Sequence, residues 1–397
     1  MPEYSDNDVV IVSAKRTAIG SFGGALSAVP APELGAAAIK ACIEQAGIQA
    51  SDVDEVIMGQ VLAAGVGQAP ARQASLGAGI PDSVPTTTIN KMCGSGMKAV
   101  MQAYDAIKAE SCELLVAGGQ ENMSLAPYIV PKARNGYRLG HGELLDHMFY
   151  DGLEDKYTNK LMGKFADENS QEDGLTREGM DEYTLRSLTR SQTASTEGWF
   201  DAEITPFTVK TRKGETVFST DELPSQARPE KIPSLRPAFD KNGVVTAANS
   251  SAISDGAAAT ILCSGKVAKE KGLTPLAVIR ATASHAEQPS KFTHAPCGAM
   301  DKALKKSGWT ASDVDLFEVN EAFAMVAMTA MNAFDIPAEK INIHGGAVAL
   351  GHPVGASGAR IIATLIYALK KEGKTKGLAS LCIGGGEATA VTLELVS

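Results

Sequence analysis

Short β-branched runs and longer stretches of helical spacing alternate along the chain. Val9 to Ser13 (VVIVS) predicts a strand, and Glu33 to Ala46 (ELGAAAIKACIEQA), with apolar residues at helical intervals before Gly47, predicts a helix. Cys297 to Gly308 (CGAMDKALKKSG) predicts another helix closed by glycine. Leu114 to Gly119 (LLVAGG) and Leu378 to Gly386 (LASLCIGGG) are apolar runs that predict strands spilling into glycine turns.

The pattern repeats. ASDVDEVIMGQ from Ala50 returns as ASDVDLFEVNE from Ala311, and Cys93-Gly94-Ser95-Gly96 before MKAVMQAYDAI returns as Gly355-Ala356-Ser357-Gly358 before ARIIATLIYAL. Both pairs share an interval of about 260 residues, so the chain reads as a duplicated α/β unit. Between the copies the composition changes to charged and proline-bearing, with one clear helical stretch at Thr176 to Gly198, opened by Thr176 and Glu178. We therefore expect a first half of residues 1–122 plus 251–274, a loop domain over 123–250 that covers the substrate and makes oligomer contacts, and a second half over 275–397.

Composition narrows the function. At 397 residues and 44% hydrophobic content the chain can bury a large core. A formal net charge of −9 with no Lys/Arg block argues against nucleic acid as a partner. Without a long apolar span or the pattern of a signal peptide, the chain is expected in the cytoplasm and away from membranes. The six cysteines, Cys42, Cys93, Cys112, Cys263, Cys297 and Cys382, form no CxxC pair and no zinc spacing, so neither a metal site nor a disulfide framework is expected.

Four positions remain as candidate chemistry. Cys93 sits where a strand turns into a helix, and free N–H groups with a helix dipole are expected to lower its pKa and favour thiolate. Across a pseudo-twofold axis the matching turn carries His352, a base within reach of a thiol, while His344 reads as a core or turn residue. Cys382 precedes Gly384 and two more glycines, whose N–H groups suit an oxyanion. Asn320, with Glu321, ends a predicted strand, where an amide orients water or an oxyanion or simply caps a helix. No GxGxxG follows a first strand and the HGGAV turn lacks the Gly-Lys-Ser/Thr of a P-loop, which removes nicotinamide and P-loop readings.

NKMCGSGMKAV, VNEAFA, GGAVALGHPVGASG and LCIGGG, in this order and with KRTAIGSFGG and ANSSAISDGAAA, resemble the thiolase family over essentially the whole chain. The resemblance implies a thiolase fold: duplicated βαβαβαββ halves in a five-layered αβαβα sandwich with an inserted loop domain, assembled as a dimer or dimer of dimers. It implies reversible Claisen condensation of two acetyl-CoA to acetoacetyl-CoA and CoA, with these as substrates and no permanently bound cofactor. Cys93 would carry the acetyl group, His352 would accept its proton, Asn320 would complete one oxyanion hole through a water, and Cys382 would move the proton of the second acetyl-CoA. The N–H groups of Cys93 and Gly384 would form a second oxyanion hole, with Ser251, Phe239 and Met162 along the CoA and acyl path.

Three departures from the family pattern stand out. Leu161 replaces a frequent histidine before Met-Gly, an apolar change that would admit a longer acyl tail. Ser225 stands where an arginine near the CoA adenine is usual, and Glu387 follows the glycines where a small or neutral residue is frequent. The rival readings are a broader 3-ketoacyl-CoA thiolase of fatty-acid breakdown, a β-ketoacyl synthase and a non-catalytic CoA-binding protein. The synthases pair their cysteine with two histidines, and a binding protein would be expected to have lost a catalytic residue type.

Overall fold

The computed structural model describes residues 4–212 and 214–396. In the first half, β1 (Val9–Thr17), α1 (Ala31–Ala46), β2 (Glu55–Gly59), β3 (Thr86–Ile89), α2 (Ser95–Lys108) and β4 (Leu114–Asn122) follow one another. The loop domain adds α3 (Met162–Glu172) and α4 (Arg177–Thr196), after which β5 (Ser254–Ser264) returns to the first half. The second half then runs through β6 (Ala277–Ala286), α5 (Ala295–Ser307), β7 (Leu316–Val319), α6 (Ala324–Phe334), α7 (Ser357–Lys371), β8 (Lys376–Ile383) and β9 (Glu387–Leu395).

The sheet makes the duplication visible. Its main path runs β7, β8, β9, β6, β1, β5, β4, β2, β3. In the first half β1, β5 and β4 are antiparallel neighbours and β4, β2 and β3 are parallel. The second half repeats this, with β6, β9 and β8 antiparallel and β8 and β7 parallel. Within the sheet the halves meet where Val10 and Ile11 pair with Val278 and Ala277. The repeated ASDVD segments each form a single 3-10 turn with a reciprocal capping box, at Gln49/Asp52 and at Thr310/Asp313, and each delivers the chain into β2 or β7.

Three apolar clusters explain the layering. One joins α2 and α7 to strands of both halves, a second sets α1 against the first half, and a third sets α5 and α6 against the second. The order is therefore helix, sheet, helix, sheet, helix. Strands covered on both faces lose the in-out alternation, which is why β4 is buried at every residue and reads as an apolar and glycine run from Leu114 to Gly119. From Ser357 to Leu369 every residue of α7 is buried, as a helix in the middle layer must be.

The loop domain contains a helix the spacing does not announce. MGKFADENSQE is mostly polar, and Leu161 at its N-cap makes no side-chain capping bond, so α3 lacks both ordinary start signals. By contrast Thr176 caps α4 by accepting the Gly179 N–H at 3.1 Å, as its sequence suggests. No helix among the described residues is long and apolar enough to cross a membrane.

Candidate active site

The first half reaches the site through the turn between β3 and α2. Asn90 Oδ1 accepts the Met92 N–H at 2.9 Å, Ser95 Oγ accepts the Lys91 N–H at 2.8 Å, and the Ser95 hydroxyl donates to the Met92 carbonyl at 2.6 Å. These bonds hold Met92 in the left-handed region at φ 46°, a sparsely populated conformation for a side chain of its size, and set Cys93 at the mouth of α2. The second half presents the equivalent turn at the start of α7. A Cβ on Gly96 would strike the Gly355 carbonyl and the Ala359 nitrogen, and one on Gly358 would strike the backbone of Met97. Each glycine therefore lets the first turn of one helix touch that of the other, and this contact brings the Cys93 and His352 turns together.

A cavity of about 410 Å³ opens between the halves and the loop domain. Cys93, His352, Cys382, Gly384, Ser251, Phe239, Met162 and Leu161 all line it. Asn320 lies just behind, buried, with its Nδ2 3.4 Å from His352 Nε2. Asn320 and Cys382 arrive from neighbouring parallel strands: β7 and β8 pair up to Val319 and Ser380, and the Asn320 N–H donates to the Ser380 carbonyl at 3.0 Å. His344 packs instead against Trp199 and Phe200, as a core residue.

The loop domain is fastened where it reaches the cavity. The Phe239 ring occupies the space a Cβ on Gly163 would need, and Lys164 pairs with Asp240. Asp167 Oδ1 accepts the N–H groups of Val244 and Val245, each at 2.8 Å, so the start of α3 and the segment around Phe239 move as one piece. Behind them, the Ser251 N–H donates to the Ala322 carbonyl at 2.9 Å and the His352 N–H to the Ala252 carbonyl at 3.1 Å.

The hydrogen-bond partners assign a tautomer to His352. Its Nδ1 lies 2.6 Å from Ser357 Oγ, whose own proton goes to the Pro353 carbonyl at 3.0 Å. The serine oxygen therefore accepts, Nδ1 carries the hydrogen, and Nε2 keeps its lone pair, with Asn320 Nδ2 3.4 Å away. Burial, helped by the charge of Arg360, lowers the imidazole pKa to about 3, so it is neutral at rest.

The thiol of Cys93 corrects one expectation. Its pKa is raised to about 11, because burial outweighs the N–H groups of Gly384 and of Cys93 itself, which pull the other way; Glu121 adds to the rise. Cys382 stands well above the usual thiol value, from burial first and then from Cys93. The resting site therefore holds two thiols and a neutral imidazole. The N–H groups of Cys93 and Gly384 both point at the Cys93 sulfur.

Two carboxylates brace the turns. Glu121 accepts the N–H groups of Val61, Leu62 and Gly355 at 2.9, 3.1 and 2.9 Å, and burial carries its pKa up to about 7. Glu387 pairs with Lys91, linking the glycine turn of the second half to the cysteine turn of the first. Ser225 is exposed, and its hydroxyl donates to the Glu222 carbonyl at 3.0 Å.

Some lining residues carry no sequence signal of their own. Phe149 and Leu153, from one helical turn, reach the cavity beside Met123, Phe292 and Phe323. Ser357 had a signal, its alignment with Ser95 in the repeated turn, since both serines bond within their own turns. Among the described residues no group of three or more His, Cys, Asp or Glu side chains could hold a metal ion.

Comparison with known proteins agrees with this geometry. Residues 9–266 match the model of the thiolase N-terminal domain and residues 273–395 that of the thiolase C-terminal domain. An acetyl-CoA acetyltransferase of Cupriavidus necator is 51% identical over 389 residues, covering 98% of this chain and 99% of its own. One of Escherichia coli is 50% identical over 387 residues, covering 97% and 98%. The crystal structure of the Bacillus anthracis acetyl-CoA acetyltransferase superposes with a TM-score of 0.96 at 42% identity, covering 98% of this chain and 99% of that one.

Proposed function

The chain belongs to the thiolase family, and on that premise we propose that it is an acetyl-CoA C-acetyltransferase, an acyltransferase that reversibly condenses two acetyl-CoA to acetoacetyl-CoA and CoA. The observation that carries this reading is the meeting of Cys93, His352 and Cys382 on one cavity, with the Gly384 N–H turned toward the Cys93 sulfur.

Cys93 attacks the acetyl-CoA carbonyl while His352 Nε2 takes the thiol proton; the C–S bond to CoA breaks, and CoA leaves with that proton. The acetyl group is then held as a thioester on Cys93. Cys382, whose own proton His352 Nε2 accepts in turn, removes a methyl proton from the second acetyl-CoA as a thiolate, and the protonated His352 with Asn320, the latter through a water, stabilises the enolate oxygen. The enolate carbon attacks the acetyl-cysteine, the tetrahedral oxygen rests on the N–H groups of Cys93 and Gly384, and collapse releases acetoacetyl-CoA and the Cys93 thiolate. His352 passes its proton to the Cys93 thiolate and Cys382 keeps the methyl proton, which leaves all three groups neutral.

Ser251, Phe239 and Met162 fit the role of guides for the pantetheine and acyl groups, since all three line the cavity. CoA and its thioesters act as substrates, with no resident cofactor in the scheme. Exposed Tyr128, Leu139, Leu144 and Tyr157 on the loop domain support assembly as a dimer or dimer of dimers, which sedimentation would size. We place the enzyme in the cytoplasm, where its free cysteines stay reduced.

A second reading, a broader 3-ketoacyl-CoA thiolase of fatty-acid breakdown, is favoured by Leu161, Leu153, Phe149 and Met123, all apolar on the same cavity. CoA-dependent thiolysis of acetoacetyl-CoA beside a medium-chain 3-ketoacyl-CoA, with Cys93→Ala as control, decides between them. Four-carbon activity alone supports the first reading and comparable cleavage of both supports the second. Turnover by Cys93→Ala or synthase turnover by Cys382→Ala would reject the mechanism, and cleavage of neither substrate by the unmodified enzyme would reject both thiolase readings.

A further inference from the structure

Behind the cavity, α7 buries an arginine whose surroundings do not suit a structural ion pair. Arg360 is 2% exposed, its Nη1 is 3.7 Å from Glu318 Oε2, and its Nε and Nη1 find no hydrogen-bond partner among the described residues. Glu318 gains little from the contact, since burial still carries its pKa up to about 8. Replacing such a pair by apolar side chains is often neutral or stabilising, so the arginine calls for another role.

Its side-chain hydrogen bond supplies one. Arg360 Nη2 lies 3.3 Å from Asn320 Oδ1, and Asn320 Nδ2 lies 3.4 Å from His352 Nε2. A guanidinium only donates, so the amide atom facing it must be the oxygen and the NH₂ must face the imidazole. That leaves Nε2 as acceptor and Nδ1 as donor, which agrees with the direction of the bond to Ser357. The bonds run one way, from Arg360 through Asn320, His352 and Ser357 to the Pro353 carbonyl.

We propose that Arg360 is a positioning residue for the acyl-transfer reaction: its donor-only side chain fixes the orientation of the Asn320 amide and, through it, keeps the lone pair of His352 on the nitrogen that faces the cavity. Two residues three apart on the first turn of α7 then set the two ends of the chain, Ser357 at Nδ1 and Arg360 at the amide. With Arg360 removed, the amide is free to turn its oxygen toward Nε2, which favours the tautomer that cannot act as a base and aims a lone pair where an oxyanion donor is needed. The charge of Arg360 also opposes protonation of His352. The other titratable groups around the imidazole are Cys93 and Cys382 at the cavity, Glu318 with Arg16 and Glu203 beyond Arg360, and Glu121 at the Gly355 turn.

The proposal rests on the thiolase reading, so its test includes a measurement that needs no turnover. Arg360→Met, Arg360→Lys and the double variant Arg360→Met with Glu318→Leu, which leaves no carboxyl stranded, are compared with the unmodified enzyme. Kinetics of acetoacetyl-CoA thiolysis across pH are set beside nitrogen-15 histidine spectra of the resting protein, with His352 assigned through His352→Asn. Both methionine variants should lose about 100-fold in kcat, the scale of one oxyanion donor, with KM for CoA within about threefold. Their acid limb should move up in pH, and His352 should gain the Nε2–H tautomer. Arg360→Lys, still donor-only and charged, should keep the Nδ1–H tautomer and stay within about tenfold of the unmodified rate. An unchanged tautomer and pH profile in the variants that fold would overturn the proposal, however far kcat falls. A tautomer switch in an enzyme whose unmodified form cleaves no 3-ketoacyl-CoA would instead reject the functional reading and leave the hydrogen-bond chain standing.

Discussion

Truncating Asp221 to alanine should loosen the loop domain and weaken catalysis together. Asp221 is buried, and its carboxylate accepts Arg16 Nη1 at 2.7 Å, Arg16 Nη2 at 2.8 Å and the Ile19 N–H at 2.8 Å. Arg16, at the end of β1, is fully buried; its Nε donates to Glu203 at 2.5 Å, and its guanidinium lies over Phe200 at 5.0 Å. Breaking a buried pair from one side costs about 3–5 kcal/mol, and because Glu203 remains, the lower figure of about 3 kcal/mol applies. For a chain of this size that is a fall of roughly 4 °C in thermal midpoint. The catalytic effect follows from what Asp221 anchors: the next segment, Glu222–Gln226, sets Leu223 beside Gly351, the residue before His352. Thermal unfolding and thiolysis kinetics on Asp221→Ala and Asp221→Asn provide the check, with the asparagine, which keeps one acceptor, falling between. A midpoint within 1 °C of the unmodified protein and unchanged kcat would refute the reasoning, since a guanidinium in that setting cannot lose a bidentate partner at no cost.

Ser357→Ala should lower kcat about tenfold with KM for CoA within about twofold, the cost of leaving a buried imidazole N–H unpaired, and an unchanged kcat in steady-state assays would contradict the tautomer assigned to His352. Because His352 must be neutral to take a proton and its pKa is lowered to about 3, thiolysis should show no acid limb near the ordinary histidine value of 6.5; a rate profile down to pH 5 measures this. The same depression, shared by His344 at about 4, makes folded stability full above pH 6.5 and lost as pH falls toward those values, which denaturant midpoints across pH would record. Glu387→Gln removes a partly exposed pair with Lys91 and should cost under about 1 kcal/mol, an effect that raised salt in the unmodified protein should mimic in thermal melts.

What the chain discloses depends on whether a signal is local. The two ASDVD turns and the CGSG and GASG turns are local, and their equal spacing already implied two copies facing each other; the structure adds the reason for the glycines, mutual contact at Gly96 and Gly358. Cys93, His352 and Cys382 were legible because each stands at a turn of the repeated pattern. The helix α3 was not, since its residues are polar and its stability comes from Phe165 and Ala166 packing on the second half, a contact distant in sequence. Nor was the charge state of Cys93. A helix terminus is visible in sequence, whereas burial, which decides the thiol's pKa here, is a property of the assembled fold.

That reversal bears on how the site works. If the helix terminus alone set the chemistry, Cys93 would rest as thiolate, and the positive ends of α2 and α7, pressed together at their glycines, would serve to hold its charge. With the thiol pushed up to about 11 and the imidazole down to about 3, burial disfavours a resting ion pair. Charge separation therefore has to coincide with the arrival of a thioester. In the proposed mechanism the N–H groups of Cys93 and Gly384 then have a negatively charged oxygen to receive, and the proton lost by sulfur has an immediate acceptor in His352 and an exit on the departing CoA. Duplication supplies two similar turns, and the site uses their difference: one turn carries the thiol, the other the base, and neither is charged until the substrate lies between them.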